Sequence, residues 1–337
     1  MKAVVIDRPH DVAYRDVAEP VYGPGDVVVR SHKAGVCRTD LEVLEGALDP
    51  RWVRYPCIPG HEWSGSVAEV GQEVTDLERG DRVVCEGIIP CNRCGPCKVG
   101  ATNLCANYES LGFTRGGGWG ELVVAPRHVV HRLSDTVSFE AAVLVEPASV
   151  VLRGLERGRL TAGESIGVIG IGTIGSLAIL LGRIFSPREI VAFGIRDEEL
   201  ELALRLGADR AVNITDSEPD GGFDIVLETA GAVAALELAT RLPREGGRIV
   251  QLGLAGAGKQ LALPADRLVL RDLELIASIG YTSAVWVRLL ELVRAGLVEL
   301  DPLVTHQFAA AEFQTAFELM DRREGIVGKV VLEHEPR

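Results

Sequence analysis

Four cysteines lie within fifteen consecutive residues, in the stretch CNRCGPCKVGATNLC at positions 91–105. They could form a disulfide knot, bind an iron–sulfur cluster, or close a tetrahedral metal site with four thiolates. The chain has seven cysteines, an odd number, and its N-terminus MKAVVIDRPH has no apolar signal core, so a disulfide framework is disfavoured. A bacterial ferredoxin run places three residues before its fourth cysteine and proline after it, whereas here seven residues precede the last cysteine and alanine follows. The spacing therefore favours a structural Zn²⁺ at Cys91, Cys94, Cys97 and Cys105.

A glycine-rich stretch, GVIGIGTIG at 167–175, carries the pattern G-x-G-x-x-G at Gly170, Gly172 and Gly175. It follows a predicted strand and opens a predicted helix, which is the context that a dinucleotide-binding motif requires. The glycines permit a tight turn and close approach of a pyrophosphate, and the helix N-terminus supplies N–H donors. We therefore predict a dinucleotide site here that includes Thr173 and Ile174. The alternative is a glycine-rich packing turn.

The next predicted strand, EIVAFG, ends where an NAD site usually carries Asp or Glu for the ribose hydroxyl. This chain has Gly194 there, followed by Ile195 and Arg196. The missing carboxylate removes repulsion toward a 2′-phosphate, and an arginine can pair with that phosphate bidentately. The sequence therefore predicts a preference for NADP(H), with NAD(H) as a possible second cofactor. In the alternative reading, Arg196 is a solvated loop charge.

Other residues of types that bind metals or move protons are dispersed along the chain. The stretch GVCRTD supplies Cys37, Arg38, Thr39 and Asp40, PGHEWSG supplies His61 and Glu62, and LVEPAS supplies Glu146. A lone Cys, His or Glu is more often structural than functional, and spacing alone does not unite these residues.

The elements that must position these residues follow two patterns. Up to about residue 145, short β patterns such as DVVVRSHKAGV and DRVVCEG alternate with Gly and Pro. From about 150 to 280, six strand patterns alternate with helical ones, which predicts a doubly wound sheet of six parallel strands with helical crossovers. After about 283, two amphipathic helical patterns precede a last strand pattern, GKVVLE. The uncharged run 165–182 reaches membrane-span length, but its five glycines favour a buried strand, turn and helix.

Length and charge limit the classes of function. A chain of 337 residues exceeds what one hydrophobic core usually serves, so two domains are expected. The net charge of −13 argues against nucleic-acid binding, which needs clustered Lys and Arg. We expect neither a nucleic-acid partner nor a membrane partner.

The chain resembles the medium-chain zinc-dependent alcohol dehydrogenase family along its whole length. The order of motifs carries the resemblance: GVCRTD, GHE, the four cysteines, EPAS, GIGTIG and GKVVLE. Within the family it is similar to the polyol, sugar and threonine dehydrogenases, because Glu follows both the His and the later Val. The resemblance implies a GroES-like β domain at 1–148 with a zinc-binding cysteine lobe at 91–105. It also implies a Rossmann domain at 149–282 and a C-terminal segment at 283–337 that completes the first domain.

The resemblance further implies two Zn²⁺ ions per chain. It unites the dispersed residues in a catalytic zinc site with the ligands Cys37, His61 and Glu146, and with Glu62 as an alternative or exchanging ligand. Asp40 would orient a ligand, and Thr39 would pass on the proton of the substrate hydroxyl. Arg38 and Lys329 match positions where the family contacts the cofactor pyrophosphate.

The implied activity is hydride transfer between a nicotinamide cofactor and a secondary alcohol or ketone of a sugar, polyol or cyclitol. The chain departs from well-known members at two positions. Glu42 stands where their proton relay ends in His, and Gly87 stands where an aromatic residue narrows their pocket, which suggests room for a bulkier polar substrate. Trp52, Trp63 and Trp119 could line that pocket, but packing or loop anchoring is the favoured interpretation for each of them.

Two other functions remain open. The protein could be a simpler alcohol or aldehyde reductase of the same family, or a redox-inactive NADPH-binding protein that keeps the fold. The apolar stretch LELIASIGYTSAVW at 273–286 predicts a homodimer or homotetramer, because an uncovered apolar sheet edge tends to aggregate. With no export signal apparent, we expect a cytoplasmic location.

Overall fold

The computed structural model describes residues 1–264, 266–322 and 324–334, which form two compact units. Unit 1 comprises Met1–Glu146 and Thr282–Arg337, and unit 2 comprises Pro147–Tyr281. Within the described residues, no helix is long and apolar enough to cross a membrane.

The N-terminal part of unit 1 consists mainly of short strands. They are β1 (Lys2–Arg8), β2 (Asp11–Asp16), β3 (Asp26–Val36), β4 (Trp63–Val70), β5 (Arg82–Cys85), β6 (Ile88–Ile89), β7 (Glu109–Ser110), β8 (Leu122–Pro126) and β9 (Val130–Arg132). The helices of this part are α1 (Arg38–Glu45), α2 (Gly95–Lys98), α3 (Phe139–Val143) and α4 (Val145–Arg157), of which the last extends past the boundary of the unit.

Unit 2 contains the predicted sheet of six parallel strands, in the order β12-β11-β10-β13-β14-β15. The strands are β10 (Ser165–Ile169), β11 (Glu189–Gly194), β12 (Arg210–Asn213), β13 (Phe223–Glu228), β14 (Pro243–Gln251) and β15 (Glu274–Ala277). The helices are α5 (Thr173–Ile184), α6 (Asp197–Arg205), α7 (Val233–Ala239) and α8 (Arg267–Leu270). Every residue of β10 and β13 is buried, as expected for the inner strands of a parallel sheet that is covered on both faces.

One connection of this sheet lacks the predicted helical crossover, and in another the helix is short. Residues 214–222, all of them described, join β12 to β13 without a helix. This stretch contains Pro219, Gly221 and Gly222, which favour turns. Between β14 and β15, the described residues form only the single turn α8.

The C-terminal segment returns to the sheet of unit 1. It forms α9 (Ser283–Arg294), β16 (Val304–Ala309), α10 (Phe313–Arg322) and β17 (Lys329–Glu333). β17 pairs antiparallel with β3, and β16 adds in parallel to β17. The resulting seven-stranded sheet has the order β16-β17-β3-β4-β5-β9, with β8 also paired to β3.

The apolar core of unit 1 contains two of the three tryptophans considered for the pocket. Trp63 and Trp119 are 1% and 0% exposed and pack among the valines of the sheet. They are core residues, whereas Trp52 is 47% exposed.

Candidate active site and metal centres

The ends of three strands in unit 1 carry several of the candidate residues that are dispersed in the sequence. β3 runs directly into Cys37, β4 begins immediately after Glu62, and β17 begins at Lys329. Because β3 pairs antiparallel with both β4 and β17, the end of β3 lies beside the beginnings of the other two strands. Backbone pairing therefore brings together residues that are far apart in the sequence.

Cys37, His61 and Glu62 place their ligand atoms within 4.8 Å of one another. A thiolate, an imidazole and a carboxylate are donors that Zn²⁺ accepts, so this set fits a zinc ion. Glu146, in the first turn of α4, is half-buried and lies outside this close group. Burial raises the pKa of Glu146 to about 7, with His61 opposing the shift and Glu62 adding to it, so Glu146 lies within electrostatic range of both.

Asp40 holds two of these residues in place. Its Oδ2 accepts the backbone N–H of Cys37 at 2.9 Å, and its Oδ1 lies 3.4 Å from His61 Nδ1. Burial lowers the pKa of His61, but Asp40 and then Cys37 raise it more, and the pKa ends well above its usual value. A metal ion that binds His61 would therefore displace a proton.

Lys329 forms a buried ion pair with Glu62, and each side chain is only 2% exposed. Burial lowers the pKa of Lys329, but the charges of Glu62 and Cys37 outweigh burial and raise it overall. Gly35 leaves the space for this pair, because a Cβ there would lie 2.3 Å from Glu62 Oε2 and 2.6 Å from Lys329 Cε. Sequence reasoning missed this pairing and predicted a pyrophosphate contact for Lys329. That contact stays a prediction.

The first two residues of α1 are the candidates for proton transfer and cofactor contact. Thr39 Oγ1 lies 3.7 Å from Cys37 Sγ, which places the hydroxyl beside the candidate metal site. The side chain of Arg38 is 51% exposed and pairs at 3.5 Å with Glu45 and at 3.9 Å with Asp321. The guanidinium of Arg38 thus lies beside two acidic side chains.

The four cysteines of the cysteine lobe also place their sulfurs within 4.8 Å of one another, and all are free thiols. Backbone N–H groups of Cys91 and Asn107 donate to Cys105 Sγ at 3.2 and 3.4 Å. The Asn107 side-chain amide, with backbone donors, lowers the pKa of Cys91 to about 5, whereas burial and neighbouring sulfurs raise the pKa of Cys97 to about 12. Four thiolates together therefore require a cation, and the donor set fits a closed zinc site.

In unit 2, two glycines of the predicted dinucleotide motif are sterically required. Gly170 has φ +88°, and a Cβ there would lie 2.6 Å from Ala230 Cβ. A Cβ on Gly175 would lie 1.9 Å from the carbonyl oxygen of Gly170. Gly172 precedes Thr173 and Ile174, which begin α5, and the space around Gly172 is open. The turn thus offers the backbone N–H groups of a helix start to an open space, as a pyrophosphate requires.

Comparison with known proteins decides the family. Family models described as an alcohol dehydrogenase GroES-like domain and a zinc-binding dehydrogenase match residues 23–135 and 173–295. An L-threonine 3-dehydrogenase of Shewanella loihica is 30% identical over 98% of this chain and 99% of its own length. The chain belongs to the medium-chain zinc-dependent alcohol dehydrogenases. It falls within their polyol and threonine branch.

Two further relatives of this alcohol dehydrogenase extend the comparison. An erythritol/L-threitol dehydrogenase of Mycolicibacterium smegmatis is 30% identical, over 95% of this chain and 94% of its own length. A crystal structure described as a zinc-binding dehydrogenase of Sinorhizobium meliloti, bound to NADP, has a TM-score of 0.92 at 27% identity and covers 98% of both chains. The protein is therefore an enzyme that uses zinc and a nicotinamide cofactor, with a GroES-like and a Rossmann-type domain.

The residues that the sequence predicts to set the cofactor preference lie at the end of β11 and directly after it. Gly194 is buried, and Arg196 immediately precedes α6 with a side chain that is 27% exposed. Arg196 Nε lies 4.0 Å from Glu198 Oε2. This long distance leaves the guanidinium able to bind an anion.

Proposed function

We propose that this alcohol dehydrogenase oxidises a secondary alcohol of a polyol, sugar or cyclitol, or reduces the corresponding ketone, with NADP(H) as its preferred cofactor. The observation that carries the proposal is the close group of Cys37, His61 and Glu62 beside the hydroxyl of Thr39. Relatives named for threonine and for erythritol support the substrate class, because each of these compounds carries a polar group next to a secondary hydroxyl. Gly87, in place of an aromatic residue, leaves room for such substrates.

Each residue then has a defined task. Zn²⁺, when bound, supplies a Lewis acid that favours loss of the hydroxyl proton. It would be held by Cys37, His61 and Glu146, with Glu62 as the exchanging ligand and a second ion in the cysteine lobe. Asp40 fixes the ring of His61, and Thr39 accepts the departing proton. Lys329 supplies a buried partner for Glu62 while Glu62 is not a ligand.

We infer the cofactor preference from the end of β11. Gly194 brings no carboxylate to repel a 2′-phosphate, and Arg196 can pair with it. The NADP found with the Sinorhizobium meliloti structure supports the same preference.

We further propose a homodimer or homotetramer that uses the edge of unit 2. β15 is the edge strand of its sheet, and Leu275 and Ile279 at this edge are 39% and 55% exposed. A molecular mass of a monomer, measured by light scattering at micromolar concentration, would contradict this proposal.

The proposed function is tested by measuring the zinc content and the activity of the enzyme. We expect two zinc ions per chain and NADP⁺-dependent oxidation of erythritol, L-threonine or a cyclitol. Cys37→Ser should abolish turnover while the zinc of the cysteine lobe remains, and Cys94→Ser should mainly lower stability. Turnover of simple alcohols alone would favour the simpler reductase, and full zinc loading without any turnover would favour the redox-inactive alternative.

A further inference from the structure

Trp119 is a buried side chain whose indole nitrogen is hydrogen-bonded to the backbone of β3. The side chain is 0% exposed, and Nε1–H donates to the carbonyl of Gly35 at 3.0 Å. Gly35 lies two residues before Cys37, and its own N–H donates to the carbonyl of Glu62 at 2.7 Å. The indole is therefore joined to the strand end that leads to one proposed zinc ligand and that is hydrogen-bonded to another.

The backbone around Trp119 is also fastened to the segment that precedes His61. Three consecutive N–H groups, those of residues 117–119, donate to the carbonyls of residues 58–60 at 2.8 to 3.1 Å. Gly60 has φ +92°, and a Cβ there would lie 2.3 Å from Trp119 Cδ1. Glycine at position 60 thus lets the indole pack directly against the residue before His61.

The strands that carry the ligands do not by themselves set the distance between them. The ladder of β3 and β4 ends at the pair of Ala34 and Trp63, and Cys37 and His61 both lie beyond this pair. Zn²⁺ binds sulfur at about 2.3 Å and imidazole nitrogen at about 2.0–2.1 Å, so small displacements of either segment weaken binding. Contacts between the two segments beyond the ladder must therefore keep the ligands at the right separation.

We propose that Trp119 is a positioning residue for the catalytic zinc ion. Its indole joins the end of β3 to segment 58–60, and so holds Cys37 and His61 at the separation that the ion requires. Trp119 acts through these two ligands and not by contact with the substrate. This inference rests on the ligand set of the proposed function, and it adds the residue that keeps the set assembled.

Competition for zinc between the holoenzyme and a chelating dye tests the assignment. Trp119→Phe keeps an aromatic ring beside Phe317, whose ring centroid lies 5.3 Å from that of Trp119, but it removes the N–H donor. The Kd of the catalytic zinc should rise about three- to tenfold, the loss expected for one neutral hydrogen bond. The zinc of the cysteine lobe should be retained as in wild type. Cys37→Ser, which should hold only the lobe zinc, identifies which ion the dye removes.

Trp63→Phe is the matched control. Trp63 is 1% exposed and belongs to the same apolar core as Trp119, and its indole nitrogen has no hydrogen-bond partner among the residues that the structure describes. The control therefore removes the same atoms but no hydrogen bond, and the Kd of the catalytic zinc should stay within about twofold of wild type. With Co²⁺ in the catalytic site, the d–d absorption bands should shift in Trp119→Phe and not in Trp63→Phe. A loss of core packing alone would affect the two variants equally.

Ser31→Ala serves as a second variant if Trp119→Phe does not fold. Ser31 Oγ donates to the carbonyl of Gly118 at 2.7 Å and so joins segment 117–119 to β3, and its loss should change zinc affinity and Co²⁺ bands in the same direction. The inference is overturned if either measurement on the folded variant equals that of Trp63→Phe, and the proposed ligand set then stands. If Cys37→Ser loses no zinc, the ligand set is wrong and this inference is overturned with it.

Discussion

At the scale of single residues, Glu62 has two possible partners, a metal ion and Lys329. Its carboxylate belongs to the close group with Cys37 and His61, and it also pairs with the buried ammonium of Lys329. A carboxylate that leaves the metal therefore never lacks a counter-charge. Conversely, when it binds the metal, Lys329 must find another anion or bear an unpaired buried charge.

Replacing Lys329 should reveal this exchange. Lys329→Met leaves Glu62 buried without its partner, which should cost about 3–5 kcal/mol of unfolding free energy in metal-free protein. In zinc-loaded protein the loss should be smaller, because Glu62 can bind the ion instead. Urea unfolding of both forms measures the difference, and the double variant Glu62→Gln/Lys329→Met is the control. Equal losses in the two forms would show that Glu62 does not reach the metal.

Glu42 offers a proton acceptor one turn of α1 beyond Thr39. Burial raises the pKa of Glu42, Arg38 opposes this shift, and Glu45 adds to it. A carboxyl with a raised pKa is a better base, and it must be ionised to accept a proton. Glu42→Gln should lower kcat for alcohol oxidation at least tenfold and remove an ionisation from the acidic limb of its pH profile. Glu73→Gln, at an exposed glutamate of unit 1, is the control, and an unaltered acidic limb in Glu42→Gln would exclude Glu42 from the relay.

Arg196 and Gly194 should together set the cofactor preference. A charge-assisted hydrogen bond contributes roughly 1.5–3 kcal/mol, or about 10- to 150-fold in kcat/KM for NADP⁺ over NAD⁺. Arg196→Ala should remove most of this preference and leave NAD⁺ turnover nearly unchanged. Gly194→Asp should shift it toward NAD⁺. The new Cβ would lie 3.1 Å from Leu200 Cδ2, a contact that the flexible leucine tip can relieve. A wild-type enzyme that uses NAD⁺ equally well would contradict the assignment.

At the scale of elements, the cysteine lobe is hydrogen-bonded to the start of α9. The backbone N–H of Ser283, the first residue of α9, donates to Thr102 Oγ1 at 3.0 Å. The hydroxyl of Ser283 donates to the buried carboxylate of Glu86 at 2.7 Å, and the other oxygen of Glu86 lies 2.9 Å from His131 Nε2. Thr102 lies between two lobe cysteines, so metal binding in the lobe also fixes an acceptor for an otherwise free helical N–H.

Removing that acceptor should weaken unit 1. Thr102→Val keeps the shape of the side chain but leaves the N–H of Ser283 without Oγ1, which should cost about 1 kcal/mol of unfolding free energy. Thr102→Ser keeps the oxygen and should retain most of the stability. Urea unfolding measures the loss of stability, and zinc analysis of the same variants shows whether metal loss contributes to it. If valine and serine variants are equally stable, the contact contributes nothing.

Local sequence patterns were sufficient to predict the structure of some of these elements. The cysteine lobe and the turn at Gly170 are contiguous, so spacing alone predicts which atoms meet. The Lys329–Glu62 pair was missed because it depends on how β17 pairs with β3, and no local pattern gives the register of distant strands. The prediction of a helix between β12 and β13 was wrong for a different reason. The turn-forming residues of that stretch are present in the sequence and could have been used to exclude a helix.

At the scale of the whole molecule, acid stability should depend on two histidines of unit 1, His32 in β3 and His334 directly after β17. His334 Nε2 lies 3.0 Å from the carbonyl oxygen of Gly118 and therefore carries the proton, and its backbone N–H donates to the carbonyl of His32. Burial lowers the pKa of both imidazoles, and the charge of Arg30 adds to the shift at His32. Both rings are therefore neutral in the native state at neutral pH.

The sign of the pH dependence follows from these shifts. Unfolded histidines titrate near pH 6.5 and the folded ones below it, so the unfolded state binds more protons once the pH falls to that range. Stability should therefore decrease from about pH 7 to pH 5, above the range in which carboxylates such as Asp224, with a pKa of about 2, become protonated. The double variant His32→Gln/His334→Gln should be less stable at pH 7 but lose less stability between pH 7 and pH 5. Urea unfolding at pH 7, 6 and 5 measures both slopes, and acid release of zinc affects both proteins alike, so it cancels in the comparison. Parallel slopes would mean that other groups cause the loss of stability in acid.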